Sequence, residues 1–223
     1  MNVLVVAPHP DDETLGCGGT LLAHKAAGHR ISWLIMSRME ERQGYTKAAI
    51  AERNDVIERV AQAYGMYEFH IAPFATMELD TVSLSDRVSF VSSVFKACQP
   101  NIVYLSHPSD IHSDHAAVYD AVKACTKSFR YPSVQSVRLY ETLSETDFAL
   151  PLNGNTFAPN LFVDVSQHFQ GKLQMLDYFY TELGAHPFPR SIRAVEALAT
   201  LRGAVAGVEY AEAFVAVKEI VKL

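Results

Sequence analysis

Cysteine is scarce in this chain: the three present, Cys17, Cys98 and Cys125, form no Cys-x-x-Cys pair and leave an odd thiol. That argues against a disulfide framework, and the three read as small buried hydrophobes in a reducing, cytoplasmic compartment. Long apolar runs are also missing. No stretch approaches the roughly 20 residues that cross a bilayer, and no basic segment precedes the apolar opening, so neither a membrane span nor export is expected. Positive charge is in deficit, with 19 Lys and Arg against 25 Asp and Glu and a formal net charge of −6. The basic residues are scattered, so the electrostatic footprint of a nucleic-acid binder is absent. Low-complexity tracts are lacking too, and 223 residues at 49% hydrophobic composition suit one domain, 1–223, with a large core.

The apolar segments that are present alternate with helical patterns. Strands are expected over Val3–Ala7, Ile31–Met36, Phe69–Ala72, Ile102–Ser106, Val137–Leu143 and Leu161–Val165. Helices are expected over Thr14–His29, Lys47–Tyr64, Ser85–Ala97 and Ala116–Ser128, then over Gln167–Glu182, Ser191–Ala204 and Tyr210–Val221, with a loop at Pro151–Pro159. The fold class that follows is α/β, a Rossmann-like doubly wound, mostly parallel sheet flanked by helices, with a helix-rich C-terminal portion.

Two strand ends carry unusual chemistry. After Val3–Ala7 comes Pro8-His9-Pro10-Asp11-Asp12-Glu13, and after Ile102–Ser106 comes a turn with Asp110, His112, Asp114 and His115 within six positions. Helix capping accounts for one carboxylate at such a turn, through Asp11 or Asp12, but not for three beside an imidazole, which repel one another unless a cation or proton is shared. In a doubly wound sheet, ligands bind beyond the carboxyl ends of strands where the strand order reverses. If these two strands are neighbours there, His9, Asp12 and His115 form a two-histidine, one-carboxylate set, which leaves a position open for catalysis. Zinc is the first expectation, and Fe(II) accepts the same ligands.

The segments Ala7-Pro8-His9-Pro10-Asp11-Asp12-Glu13 with Gly16-x-Gly18-Gly19, Asp110-x-His112-x-Asp114-His115, and Leu201-Arg202-Gly203 through Phe214 resemble the LmbE-like, PIG-L family of metal-dependent N-acetylglucosaminyl deacetylases. The resemblance implies metal ligation by His9, Asp12 and His115, with Asp11 as general base. It also implies His112 facing the reacting carbonyl as oxyanion stabiliser or acid, with Asp114 tuning that histidine. It implies substrate contact by Arg53 and, more loosely, by Asp80. Ser37 to Gly44, charged here, departs from the family's pattern and leaves the substrate open, whereas Ser113, where proline is common, should alter loop stiffness rather than chemistry. The expected reaction is zinc-dependent hydrolysis of the acetamide of an N-acetylated amino sugar or its conjugate. The expected partners are that small molecule, no nucleic acid, and, as an open alternative, a second copy of the chain. A nucleotide-binding module, prompted by Gly16-Cys17-Gly18-Gly19, lacks the third glycine of its fingerprint because Leu21 stands there. Metal-dependent phosphoester hydrolysis is the other rival, and only one convincing ligand set is available to it. His24, His29, His70 and His168 read as solvated or locally hydrogen-bonded, His107 as a polar loop residue, and the His186 loop as a connector.

Overall fold

The computed structural model describes residues 1–150 and 156–221. In chain order the elements are β1 (Asn2–Ala7), α1 (Asp12–Ala26), β2 (Arg30–Ile35), α2 (Lys47–Tyr64), β3 (Glu68–Ile71), α3 (Leu84–Cys98), β4 (Ile102–Ser106) and α4 (Ser113–Ala124). There follow β5 (Ser136–Tyr140), β6 (Leu161–Asp164), α5 (Phe169–Leu176), α6 (Ile192–Ala206) and β7 (Ala211–Glu219). One mixed sheet has the order β3-β2-β1-β4-β5-β7-β6. Strands β1 to β5 pair in parallel, whereas β7 runs antiparallel to both β5 and β6.

Both faces of β1 are buried, which is why its sequence is a continuous apolar run. Val3, Val5 and Ala7 pack with α1, α2 and Phe179 on one side. Leu4 and Val6 pack with Val91 and Phe95 of α3 and Val118 and Val122 of α4 on the other. The strand order reverses at β1, which has β2 on one flank and β4 on the other, with Val3 opposite Ile102. The two acidic-histidine turns therefore leave adjacent strand ends.

The helix expected over Tyr210–Val221 is instead β7, inserted between β5 and β6. Ala, Glu and Lys there favour helix, but two open strand edges claim the segment, and the ladder overrides propensity. The helix expected over Gln167–Glu182 is split into α5 and a 3₁₀ turn over Asp177–Glu182. Of the Pro151–Pro159 loop, residues 151–155 lie outside the described residues, and the remainder has no regular structure.

Glu212 on β7 explains how α1 tolerates a break. Cys17 has non-helical dihedrals, φ −144° and ψ 24°, so the turn after it presents free N–H groups. The Glu212 carboxylate accepts from Gly19 N at 2.9 Å, Thr20 N at 2.7 Å and the Thr20 hydroxyl at 2.6 Å. Lys172 bridges the break from α5, donating to Leu15 O at 2.8 Å and to Glu212 at 2.7 Å. A carboxylate from a distant strand thus caps the second half of the helix. The glycines of α1 let it lie close to the sheet, since a Cβ on Gly16 would sit 2.2 Å from the Tyr140 ring and one on Gly19 2.8 Å from Val165. Their role is packing, which disfavours the phosphate-binding reading. Because Glu212 and Lys172 are both buried, Glu212→Ala should cost about 3–5 kcal/mol by leaving an uncompensated buried ammonium; urea unfolding of the two proteins measures this.

Candidate metal and catalytic site

The turn after β1 is held in a conformation a non-glycine residue rarely adopts. Asp11 has φ 149° and ψ −28°, and its side chain makes no capping bond to α1, so neither it nor Asp12 is the ordinary helix cap expected from sequence. The strain is held by Glu13, whose fully buried carboxylate accepts from Asp11 N at 3.1 Å, and by Asp11 O, which accepts from Thr14 N and Leu15 N at 3.0 and 2.9 Å. Burial pushes the Glu13 carboxyl up to about 8, with Asp11 adding to it. Backbone strain of this kind persists only where the surroundings over-determine it, and it concentrates at functional sites.

His9, Asp12 and His115 converge, with one ligand atom of each within 4.8 Å of the others. Asp12 Oδ2 accepts from His9 N at 2.8 Å and lies 3.4 Å from His9 Nδ1 and 3.3 Å from His115 Nε2. Each imidazole is oriented from behind by a further carboxylate. His115 Nδ1 meets Asp110 Oδ2 at 2.8 Å, and Asp110 in turn accepts from the Thr146 hydroxyl at 2.6 Å. His9 Nε2 meets Asp114 Oδ2 at 3.0 Å. With Nδ1 of His115 and Nε2 of His9 turned to these carboxylates, the opposite nitrogens face Asp12 and are the ones that could be offered to a metal. His115 Nε2 is buried and, among the described residues, has no hydrogen-bond partner, a costly state for a polar atom unless something electrophilic meets it.

The electrostatics point the same way. Burial opposes charge on His115, but Asp12 and Asp110 outweigh it and hold the imidazole well above its ordinary range. His9, against the same opposition, is pushed up to about 9 by Asp114 and Asp12. Burial would raise Asp12, yet His115 and His9 hold it below the ordinary carboxylate range. The centre is a negative socket that stabilises positive charge, and the nitrogen–oxygen donor set suits a divalent transition ion.

His112 and Asp114 are placed differently from the expectation. The Asp114 carboxylate is directed to His9 and accepts from Met77 N at 2.7 Å and Leu79 N at 2.9 Å, while its backbone N–H donates to His112 Nδ1 at 3.1 Å. His112 is thus the N-cap of α4, and its Nδ1 is an acceptor. Burial, reinforced by the nearby His9, lowers its pKa. With Nδ1 accepting, the donor the ring presents is Nε2–H, and the hydrogen bond from Asp114 comes from its backbone rather than its carboxylate.

His9, Asp12 and His112 line a cavity of about 300 Å³, with Met39, Ile50, Ile71 and Met77 among its apolar walls. Asp11 faces it. Burial, with Asp12 and Glu182 adding to it, pushes its carboxyl up to about 7, against the pull of Arg190 and His9. Arg190 Nη1 donates to Asp11 Oδ2 at 3.3 Å and stands 3.7 Å from Glu182 Oε2. Arg53 also lines the cavity, donating to Pro10 O at 3.3 Å and pairing with Glu182. Asp80 is not brought to the site: it is exposed on a 3₁₀ turn and absent from the cavity wall, because buried Leu79 takes the inward position. His107 bonds locally to Ser109 at 2.5 Å.

Arg190, Glu182 and the orienting role of Asp110 escaped the sequence reading. Asp110 stood in the dense second turn and could have been found there. Arg190 ends the loop read as a connector, and only the packing of that loop over the β1 turn brings it to Asp11.

A family model described as PIG-L: GlcNAc-PI de-N-acetylase matches residues 4–126, more than half of the chain. The uncharacterized deacetylase YaiS of Escherichia coli (strain K12) is 24% identical over 172 residues, covering 75% of this chain and 83% of that protein. The probable N-acetyl-alpha-D-glucosaminyl L-malate deacetylase 2 of Bacillus anthracis is 27% identical over 131 residues, covering 54% of this chain and 57% of that one. The N,N'-diacetylchitobiose deacetylase from Pyrococcus horikoshii shares the fold, with a TM-score of 0.76 at 21% identity over 97% of this chain and 83% of that one. Both turns that build the site fall within the matched residues, and the chain belongs to the PIG-L family of hydrolytic N-deacetylases.

Proposed function

We propose that this protein hydrolyses the acetamide of an N-acetylated amino sugar or its conjugate, releasing acetate and a free amine, with a divalent metal held by His9, Asp12 and His115. The observation that carries the reading is the buried, unpartnered Nε2 of His115, beside Asp12 and His9 at the wall of a cavity that Asp11 also faces. Zinc or Fe(II) fits this donor set. When bound, such an ion would supply Lewis acidity, easing deprotonation of water and polarising the acetyl carbonyl.

The chain's own residues supply the remaining tasks. Asp11, its carboxyl near 7, accepts the proton of the attacking water and is then acidic enough to return it to the leaving amine. Arg190 holds the Asp11 carboxylate in position. His112 donates from Nε2–H to the oxygen on which negative charge develops, a role that needs no charge on the ring. Arg53 and Arg190, partly neutralised by Glu182, offer donors to hydroxyl or anionic groups of the substrate, and the apolar wall accommodates the acetyl group or the aglycone. The two named relatives whose substrates are printed act on acetylated glucosamine units, which supports the same class here.

The test of the function is a screen of free N-acetyl sugars and their nucleotide, lipid, inositol and thiol conjugates with zinc- or iron-loaded protein, reading both amine and acetate. Stoichiometric release of the two is expected from at least one class. Undiminished release after exhaustive chelation would overturn the metal-dependent mechanism.

Two substitutions separate the roles. Asp11→Asn should keep its metal but lower kcat by about 10²- to 10⁴-fold. In the unaltered enzyme kcat/KM should rise with pH as Asp11 loses its proton, at or below about pH 7, because a bound cation would lower the Asp11 pKa further. Asp110→Asn should weaken metal affinity about 10- to 100-fold, because His115 loses the carboxylate that fixes its tautomer; equilibrium dialysis with elemental analysis reads this without reference to activity.

A further inference from the structure

We propose that Glu68, His70 and Cys98 form a second metal site, for a thiophilic divalent ion such as zinc, between β3 and the end of α3, on the face of β3 turned away from the cavity-lining Ile71. Glu68 and His70 alternate on β3, so both side chains leave the same face of this edge strand. Cys98 is the last residue of α3, the helix packed below that face. Its carbonyl accepts from the Asn2 side chain at 3.1 Å, at the start of β1, which ties the end of α3 to the sheet.

One donor atom of each residue lies within 4.8 Å of the others, and the two oxygens of Glu68 each approach one of the other two ligands. Cys98 Sγ is 3.3 Å from Glu68 Oε1, His70 Nε2 is 3.3 Å from Glu68 Oε2, and Cys98 Sγ is 3.9 Å from His70 Nε2. Ligands bonded to tetrahedral zinc at about 2.0–2.3 Å are spaced by roughly 3.3–3.6 Å, so closure needs only small side-chain movements. The Ser32 hydroxyl, cross-strand from Glu68, donates to Glu68 Oε1 at 3.2 Å and steadies the carboxylate. Three protein ligands leave the fourth position to water on the partly exposed side, where His70 and Glu68 are each 29% accessible.

Charge and softness select the ion. Thiolate, imidazole and carboxylate together carry two negative charges, matching a divalent cation, and the sulfur favours zinc or cadmium over magnesium or calcium. Burial, with Glu68 adding to it, pushes the Cys98 thiol up to about 11. Binding therefore displaces the thiol proton, and affinity rises with pH. The bound ion would tie the end of α3 to the sheet's edge strand.

Cadmium titration of the full-length protein at neutral pH tests the site, because a cadmium–thiolate bond adds a near-ultraviolet charge-transfer band that the catalytic ligands, which include no sulfur, cannot give. Two equivalents per chain and the band are expected. Cys98→Ser should lose the band and one equivalent, whereas Asp12→Ala should lose the other equivalent and keep the band. His70→Ala, which retains the thiol, should require on the order of tenfold more cadmium for the band to saturate. Absence of the band from the unaltered protein, its persistence in Cys98→Ser, or its indifference to His70→Ala would overturn the proposal and leave a plain hydrogen-bonded trio. None of these three outcomes bears on the deacetylase reading, whose proposed metal is the equivalent that Asp12→Ala removes.

Discussion

A carboxylate taken out of water must find a positive partner, a set of hydrogen-bond donors or a proton, and this protein buries carboxylates at its centre on purpose-built partners. Asp12, Asp110 and Asp114, all buried, surround two imidazoles at the ends of β1 and β4. The arrangement is stable only with positive charge between them, and that requirement makes the crevice a cation socket. Asp11 lies one residue from the socket and faces a weaker pull, so its proton is held near neutrality. Neighbouring aspartates thus titrate in opposite directions through environment alone, as the proposed division into ligand and base requires.

The same chemistry, with backbone donors as partners, supports the scaffold. Glu13 uses its carboxylate to hold the strained N–H of Asp11, and Glu212 uses its own to cap the interrupted α1. The break at Cys17, the glycine contacts with Tyr140 and Val165, and the Lys172 bridge are parts of one device. It lets α1 run close under the sheet while its first residues turn toward the cavity. Arg190 then closes the far side, so the loop before α6 completes the wall that the β1 turn begins.

For the role proposed for His112, the structure offers a different physical basis from the one expected. A positively charged histidine backed by an aspartate is one way to stabilise an oxyanion. Here the backbone N–H of Asp114 occupies Nδ1, and the adjacent His9 disfavours a second charge. With Nδ1 accepting, the available donor is Nε2–H, and the Asp114 carboxylate meets His9 instead.

The sequence by itself determined the parallel half of the sheet, because strands buried on both faces must be continuously apolar, as Val3–Ala7 is. It also determined the two turns, since His9, Asp12 and His115 lie at strand ends that a doubly wound order brings together. It could not determine β7: Ala211–Glu219 has helical composition, and only the vacant edges of β5 and β6 make it a strand. Nor could it assign Asp114 to His9, exclude Asp80, or recruit Arg190 from 179 residues away in the chain. Those were decided by the tertiary structure, because hydrogen-bond direction and the packing of distant loops depend on three-dimensional proximity, which residue spacing does not encode.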